Sequence, residues 1–201
     1  MEPALKNLGE MSYWSRTYAT EGKGCFTSDA NLKSVHRRYC DSLDINTNTY
    51  VGKTIVDLGC GPRGTLHLFK AKTKYGIDPL AKGYDYIFRM AREQDMIYLS
   101  SDCENIPLLD RTVDAVLSVN SLDHVDNLEK SISEILRIVK PGGEIRMNLN
   151  LQPMARVTEP QVFTEKAILT RFKRLDPKVV KRFPATEAVP FERILVVATK
   201  P

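Results

Sequence analysis

The fold of this chain is decided by the stretch Thr54-Ile55-Val56-Asp57-Leu58-Gly59-Cys60-Gly61-Pro62-Arg63-Gly64. The apolar and β-branched residues that precede Gly59 predict a strand covered on both faces. Gly59 and Gly61 then allow a sharp turn whose amides approach a ligand closely, at positions where a Cβ would intrude. Asp57 lies near the carboxyl end of this strand, which is where open α/β sheets bind their ligands.

Two classes of ligand use such a turn. Gly59, Gly61 and Gly64 satisfy the G-x-G-x-x-G dinucleotide fingerprint, in which the start of a helix carries a pyrophosphate. Asp57 argues against that ligand, because its carboxylate would repel a pyrophosphate. The same carboxylate suits a cationic end, such as the ammonium of a methionine moiety. The stretch Asp57–Gly61 resembles the first motif of the class I S-adenosylmethionine-dependent methyltransferases, in particular their type 11-like domain.

Four later segments follow in the order that this family has, and together they extend the resemblance over roughly residues 52 to 150. Three are predicted strands that end at polar residues, and the last looks like the corner between a helix and the fifth strand. They are Tyr75-Gly76-Ile77-Asp78, Met96–Leu99 followed by Ser101-Asp102-Cys103-Glu104, Asp114–Val119 followed by Asn120-Ser121-Leu122-Asp123-His124-Val125, and Leu136–Glu144.

The resemblance implies S-adenosylmethionine as the cofactor and assigns it a set of residues. Asp78 stands 21 positions after Asp57, a spacing that suits the ribose hydroxyls; since Pro79 follows, Asp78 is also a candidate helix N-cap. Asp102 would pair with the adenine amino group, and Asn120 would contact the methionine end or cap its loop. The full set is Asp57, Gly59, Cys60, Gly61, Asp78, Pro79, Asp102, Cys103 and Asn120.

His124 and Asp123 are the candidate catalytic residues. His124 follows the fourth strand, at the edge where methyl donor and acceptor should meet, and its ordinary pKa of ~6.5 suits removal of a proton near neutral pH. The family commonly carries a histidine in this loop whatever its substrate, so a role in loop structure is the alternative. Asp123 would orient the imidazole or bind a cationic acceptor. We expect no metal site.

The N-terminal segment predicts a lid. Tyr13, Trp14 and Tyr18 bring aromatic side chains, including the only tryptophan, ahead of the glycines Gly22 and Gly24. Aromatic faces attract a sulfonium as they do other cations, and a hinge beside them would let the segment close over cofactor and acceptor. The alternative is that these side chains pack a helix onto the sheet.

Length and composition predict one domain. The 201 residues, 42% of them hydrophobic, suffice for a full core. We expect an N-terminal helical cap over 1–49, a cofactor-binding core over 50–151 and a C-terminal helix and β-hairpin over 152–201. No apolar run reaches the ~20 residues of a membrane span, and no signal-peptide pattern opens the chain. The four cysteines are scattered, which favours reduced thiols and a cytoplasmic location.

The predicted fold class is α/β: a Rossmann-like, doubly wound sheet of seven strands, mostly parallel, with a C-terminal antiparallel hairpin and an N-terminal helical cap. The clearest helix is predicted over 127–140, with Asp126 as N-cap and Glu129 completing a capping box. A further helix is expected near 164–173, and two last strands over 178–183 and 191–199.

The sequence thus predicts a methyltransferase that acts on an oxygen or nitrogen of a small molecule. The net charge of +4 and the lack of an added recognition domain do not favour a nucleic-acid partner, and no membrane partner or oligomeric state is indicated. Two alternatives stay open. One is an enzyme acting on RNA or protein, encouraged only by the basic C-terminal third; the other is a non-catalytic module that binds the cofactor.

Overall fold

A seven-stranded sheet forms the centre of the computed structural model, which describes residues 3–21, 29–88, 95–152, 154–156, 158–187 and 189–201. The strands are β1 (Thr54–Leu58), β2 (Thr73–Ile77), β3 (Ile97–Leu99), β4 (Val113–Val119), β5 (Val139–Asn150), β6 (Lys178–Phe183) and β7 (Arg193–Thr199). Their spatial order is β3-β2-β1-β4-β5-β7-β6. The first five are parallel, whereas β7 is antiparallel to both β5 and β6, which confirms the predicted fold class.

Helices cover both faces of this sheet. They are α1 (Pro3–Glu21), α2 (Asp29–Leu43), α3 (Ala81–Phe88), α4 (Leu128–Ile138), α5 (Glu165–Arg171) and a short 3-10 helix, Lys173–Leu175. Side chains alternate along each strand, so Ile55 packs in one buried cluster with residues of α2, while Val56 packs in another with residues of α4 and α5. No helix in the described part of the chain is long and apolar enough to cross a bilayer.

The connection from β1 to β2 contains turns rather than a helix. Residues 61–68 form successive turns, and Gly64 has a left-handed backbone with φ of +58°. A dinucleotide site needs a helix N-terminus directly after the glycine-rich turn to hold its pyrophosphate. This loop offers none, which agrees with the argument from Asp57 against a dinucleotide.

The start of α4 differs from the sequence prediction by one residue. Asn127, not Asp126, is the N-cap, and its side chain accepts a hydrogen bond from the Lys130 amide. The expected capping box with Glu129 is therefore wrong. The reason is tertiary: Glu104 Oε1 accepts the backbone N–H groups of both Asp126 and Asn127, which fixes the entry of the chain one residue later.

The strand order indicates at which edge of the sheet a ligand would bind. Chain connections leave β1 toward β2 on one side and reach β4 on the other, so the sheet changes direction between β1 and β4. Ligands of open α/β sheets bind at such a switch point, outside the carboxyl ends of the strands. The loops after β1, β2 and β4 meet there.

Candidate functional site

A cavity of about 630 Å³ lies at this edge, roofed by α1. Its size is typical of a small-molecule site. Glu10 and Trp14 border it from α1, and the loops that follow β1, β2, β3 and β4 form the remaining walls. The predicted site residues that line it are Tyr13, Trp14, Asp57, Gly59, Cys60, Gly61, Asp78, Pro79, Asp102, Cys103, Asn120 and His124. Asp123 and Tyr18 do not line it.

Asp57 is a buried acid that two hydroxyl groups hold in place. Its side chain is 1% exposed. Tyr39 Oη donates to Asp57 Oδ1 at 2.6 Å, and Thr65 Oγ1 donates to Oδ2. Burial raises the pKa of Asp57 to about 7, against the opposing effect of these two hydrogen bonds. A cationic ligand group in the cavity would favour the ionised form.

The two glycines of the turn have different roles. Both have left-handed backbones, with φ of +66° at Gly59 and +54° at Gly61. A Cβ on Gly59 would collide with the side chain of Ser121, whose hydroxyl donates to the Leu58 carbonyl at 2.7 Å. Gly59 is thus required by the packing of two loops, whereas Gly61 faces the indole of Trp14, whose nearest atom would lie 3.3 Å from a Cβ added there.

Asp78 connects the first two loops. Its Oδ2 accepts the Gly61 amide at 3.0 Å, and its Oδ1 accepts the Leu80 amide at 2.9 Å just before α3 begins. Asp78 thus holds the turn that leads into α3. Burial raises the pKa of Asp78 to about 6, although both amides lower it. Each carboxylate oxygen has a second lone pair, so the same side chain can also accept from a ligand hydroxyl.

The loop after β3 places one exposed acid at the edge of the cavity and two buried side chains below it. Asp102 is exposed at the cavity edge, and its Oδ1 accepts the Asn105 side-chain amide at 3.0 Å. Cys103 is buried, which raises the pKa of its thiol and makes it a poor nucleophile. Glu104 Oε1 accepts hydrogen bonds from the two backbone amides that lead into α4.

Asn120 takes part in a polar row that the sequence analysis missed. Its backbone is left-handed, with φ of +51°, and its Oδ1 accepts from the amide of Asn150 on β5. Asn148 and Asn150 alternate at the end of β5, Gln152 continues the alternation just beyond it, and all three are buried. Alternating polar residues in an otherwise apolar strand are the signal that identifies this row. The side chain of Asn120 is thus held by β5.

His124 lies among carboxylates. Its Nδ1 is 3.3 Å from Glu10 Oε1, and its Nε2 is 3.8 Å from Asp123 Oδ1. Burial would lower the pKa of His124, but Glu10, Asp123 and Glu159 outweigh it and the net shift is upward. The Asp123 side chain is 1% exposed, and burial raises its pKa. The structure therefore brings the two candidate catalytic residues together.

α1 is the helix over the cavity. Lys6 Nζ donates to the His124 carbonyl and to Asp126 Oδ1, both at 2.8 Å, and Trp14 lies beneath the guanidinium of Arg63, 5.3 Å from the ring centroid. Tyr18 instead packs on Phe88 of α3, with ring centroids 4.9 Å apart. Placing Tyr18 in the site was therefore wrong, because it lies one turn too far along α1. Gly22 and Gly24 lie outside the described residues.

Several residues that line the cavity are missing from the sequence analysis, and some of them share a recognisable spacing. Lys6, Glu10 and Trp14 recur every four residues and so share one face of α1. The sequence analysis does not single out Tyr39, Thr65 or Glu159. All of these line the cavity. Their positions depend on contacts between distant segments, which a periodicity does not specify.

A glycine turn after β1 and acids after β2 and β3 all face one cavity, at the edge where open α/β sheets bind their ligands. A family model described as a methyltransferase domain matches residues 56–147. Over these residues, just under half of the chain, the protein is similar to the class I S-adenosylmethionine-dependent methyltransferases.

Named relatives are similar over the same region. Sterol 4-C-methyltransferase strm-1 of Caenorhabditis elegans is 31% identical over 119 residues, 56% of this chain and 34% of that protein. Norajmaline N-methyltransferase of Rauvolfia serpentina is 29% identical over 133 residues, 59% of this chain and 44% of that protein. The chain thus spans less than half the length of these two relatives.

A solved structure supports the fold over the whole chain. The 1,6-didemethyltoxoflavin-N1-methyltransferase of Burkholderia thailandensis, solved with 1,6-didemethyltoxoflavin and S-adenosylhomocysteine, has a TM-score of 0.64 to this chain. The match covers 100% of this chain and 91% of that one at 12% sequence identity. At that identity the likeness shows the fold alone.

Proposed function

We propose that this chain transfers a methyl group from S-adenosylmethionine to an oxygen or nitrogen of a small molecule. The observation that supports this most is the single cavity that joins Asp57, Asp78 and His124 beneath α1. The cofactor residues and the candidate base face one cavity, so donor and acceptor would lie side by side in it. The small-molecule substrates named for the relatives agree with an acceptor of that size.

The cofactor residues divide by chemistry. Asp57 would bind the methionine ammonium, since it is the buried acid on the strand that leads into the turn, and Asp78 would accept the ribose hydroxyls through its remaining lone pairs. Asp102 would accept from the adenine amino group at the rim. The backbone of the turn and neighbouring loops would complete the contacts through Gly59, Cys60, Gly61, Pro79, Cys103 and Asn120.

His124 is the candidate base that would act on the methyl acceptor. When bound, the cofactor supplies a methyl group already activated on a sulfonium, so the chain mainly has to align the acceptor and exclude water. His124 would take the proton that the acceptor oxygen or nitrogen loses as its bond to the methyl carbon forms and the carbon–sulfur bond breaks, with the electron pair remaining on sulfur. Asp123 would hold the imidazole and stabilise the resulting imidazolium.

The test combines binding with turnover. S-adenosylhomocysteine should bind in a calorimeter while NAD gives no signal, and labelled methyl groups should move from S-adenosylmethionine into a small-molecule pool. Binding of both donor and product with no acceptor methylated would show the non-catalytic alternative. Label found in RNA or protein, with strongly salt-dependent binding, would show the macromolecular alternative.

A further inference from the structure

The acceptor end of the cavity carries an excess of negative charge. Glu10 from α1 and Glu159 from the loop before α5 both line it, one on each side of His124, and Asp123 lies directly behind the imidazole. One carboxylate oxygen of Glu159, one of Asp123 and one nitrogen of His124 lie within 4.8 Å of one another. Three acids thus surround one histidine.

Two of these carboxylate oxygens are buried without a hydrogen bond. Among the described residues, Asp123 Oδ1 and Glu159 Oε2 are both buried and have no hydrogen-bond partner. The nearest cation to Glu159 is Arg156, whose Nε is 3.8 Å away, beyond hydrogen-bonding distance. A buried carboxylate oxygen that lacks a donor costs folding free energy, so these atoms are arranged for a donor that the chain does not supply.

The two cations at the cavity are engaged elsewhere. Lys6 reaches the outer side of the histidine loop, where its Nζ is bound to the His124 carbonyl and to Asp126. Arg63 lies over the Trp14 ring, on the side of the glycine turn. Glu10 and Glu159, which line the cavity, therefore form a negative wall beside His124, with Asp123 behind the imidazole.

From this placement we propose that the acceptor is a small organic amine, which binds as its ammonium ion against Glu10 and Glu159 beside His124. This rests on the proposed methyl transfer. A primary or secondary ammonium carries several N–H donors, each of which forms a hydrogen bond of about 2.7–2.9 Å to a carboxylate. Tyr13 and Trp14 line the same cavity and add aromatic faces, which attract organic cations.

A divalent metal ion is the competing ligand for the same atoms. It would draw its ligands to within about 2.0–2.2 Å of one point. Here Glu10 extends the negative charge to the far side of the imidazole, where its Oε1 lies 3.3 Å from His124 Nδ1. Charge spread along a wall fits an ammonium with several donors better than a single ion, and the experiment below separates the two.

The test uses labelled S-adenosylmethionine and a metabolite extract separated by ion exchange at neutral pH into cationic, neutral and anionic pools. We expect the wild-type protein to methylate a component of the cationic pool. Glu159→Gln should raise KM for that component by roughly tenfold or more, with kcat and the affinity for S-adenosylhomocysteine nearly unchanged. Glu187→Gln, an exposed acid away from the cavity, is the matched control and should behave as wild type.

Each other outcome is informative. Label only in the neutral or anionic pool overturns the amine and leaves methyl transfer standing. Absence of label from every pool overturns both proposals. Mn²⁺ added alone, without acceptor, should bind no more tightly to wild type than to Glu159→Gln; tight binding that is lost in Glu159→Gln and kept in Glu187→Gln would show a metal site and overturn the amine.

Discussion

Glu10 Oε1 lies 3.3 Å from His124 Nδ1, so a side chain from the N-terminal helix fixes the imidazole that the sheet presents to the cavity. The other ring nitrogen, Nε2, lies on the side of Asp123. The contact with Glu10 therefore holds α1 against the loop that carries His124.

Replacing Glu10 by Gln should lower the pKa of His124, because one of the carboxylates that raise it is lost while Asp123 and Glu159 remain. Since the folded-state pKa is raised, protonated His124 stabilises the folded protein below its ordinary pKa of ~6.5, and this contribution is lost as the pH rises through the folded value. The C2 proton of His124, followed by NMR against pH, gives the measurement. An unchanged titration in Glu10→Gln would show that the Glu10 carboxylate does not raise the pKa of His124.

Binding of S-adenosylhomocysteine should strengthen as the pH rises through about 7, the pKa of Asp57, because the ligand ammonium prefers the ionised carboxylate. In the free protein the sign is opposite: with a raised pKa, ionisation of Asp57 costs stability as the pH rises through that value. Calorimetry between about pH 5 and pH 9 measures the affinity.

Asp57→Asn is the control for this dependence. It should bind more weakly and lose the step near pH 7, while a smaller step from Asp78 at about 6 remains. A wild-type affinity that does not vary with pH would contradict the role of Asp57 as the ammonium ligand.

Most strands could be predicted because each is a short apolar run that ends at a polar or glycine-rich turn. The predicted strand over 178–183 matches β6, and the strand over 191–199 begins two residues later, at Arg193. The apolar run of β7 predicts that strand because most of it is buried, whereas β6 is an edge strand without a buried residue. The one-residue shift at Asn127 shows where local patterns fail, because Glu104 decides that boundary from another loop.

The cavity could be predicted only in part, and for a physical reason. The acids and glycines after the strands are local to the sheet edge, so Asp57, Gly61 and Asp78 were placed correctly at the cavity. The contacts of α1 join Lys6 and Glu10 to a loop more than a hundred residues away. Helical spacing reveals which face of α1 is shared, but not what that face packs against.

Trp14 should report cofactor binding. Its ring faces Gly61 and lines the cavity, so a bound ligand changes its surroundings directly. We expect tryptophan fluorescence to change on addition of S-adenosylhomocysteine, and hydrogen exchange in α1 to slow as the helix is held against the ligand. Trp14→Phe should lose the optical signal and keep the slowed exchange. Unchanged exchange in wild type would mean that α1 is a fixed part of the packing.

His124→Ala should lower kcat by roughly 100-fold, the typical contribution of a general base, and leave the affinity for S-adenosylhomocysteine nearly intact. Because the variant also loses the contact with Glu10, exchange in α1 has to be measured beside the rate. A slow enzyme with a normally protected α1 supports the base. Full turnover in the variant would limit His124 to a role in the loop.

Gly61→Val should abolish cofactor binding, since a branched side chain would fill the space between the turn and Trp14. The substitution also forces a β-branched residue into a left-handed backbone, with φ of +54°, which costs stability by itself. Gly52→Val separates the two effects. Gly52 has φ of +73° and no neighbour within 4 Å of an added Cβ, so this variant has the backbone strain without filling the cavity. Calorimetry of S-adenosylhomocysteine binding and thermal unfolding of both variants distinguish loss of ligand space from loss of stability. Loss of S-adenosylhomocysteine binding in Gly61→Val alone, at similar melting temperatures, places the cofactor against the turn; near-wild-type affinity in Gly61→Val would remove it from there.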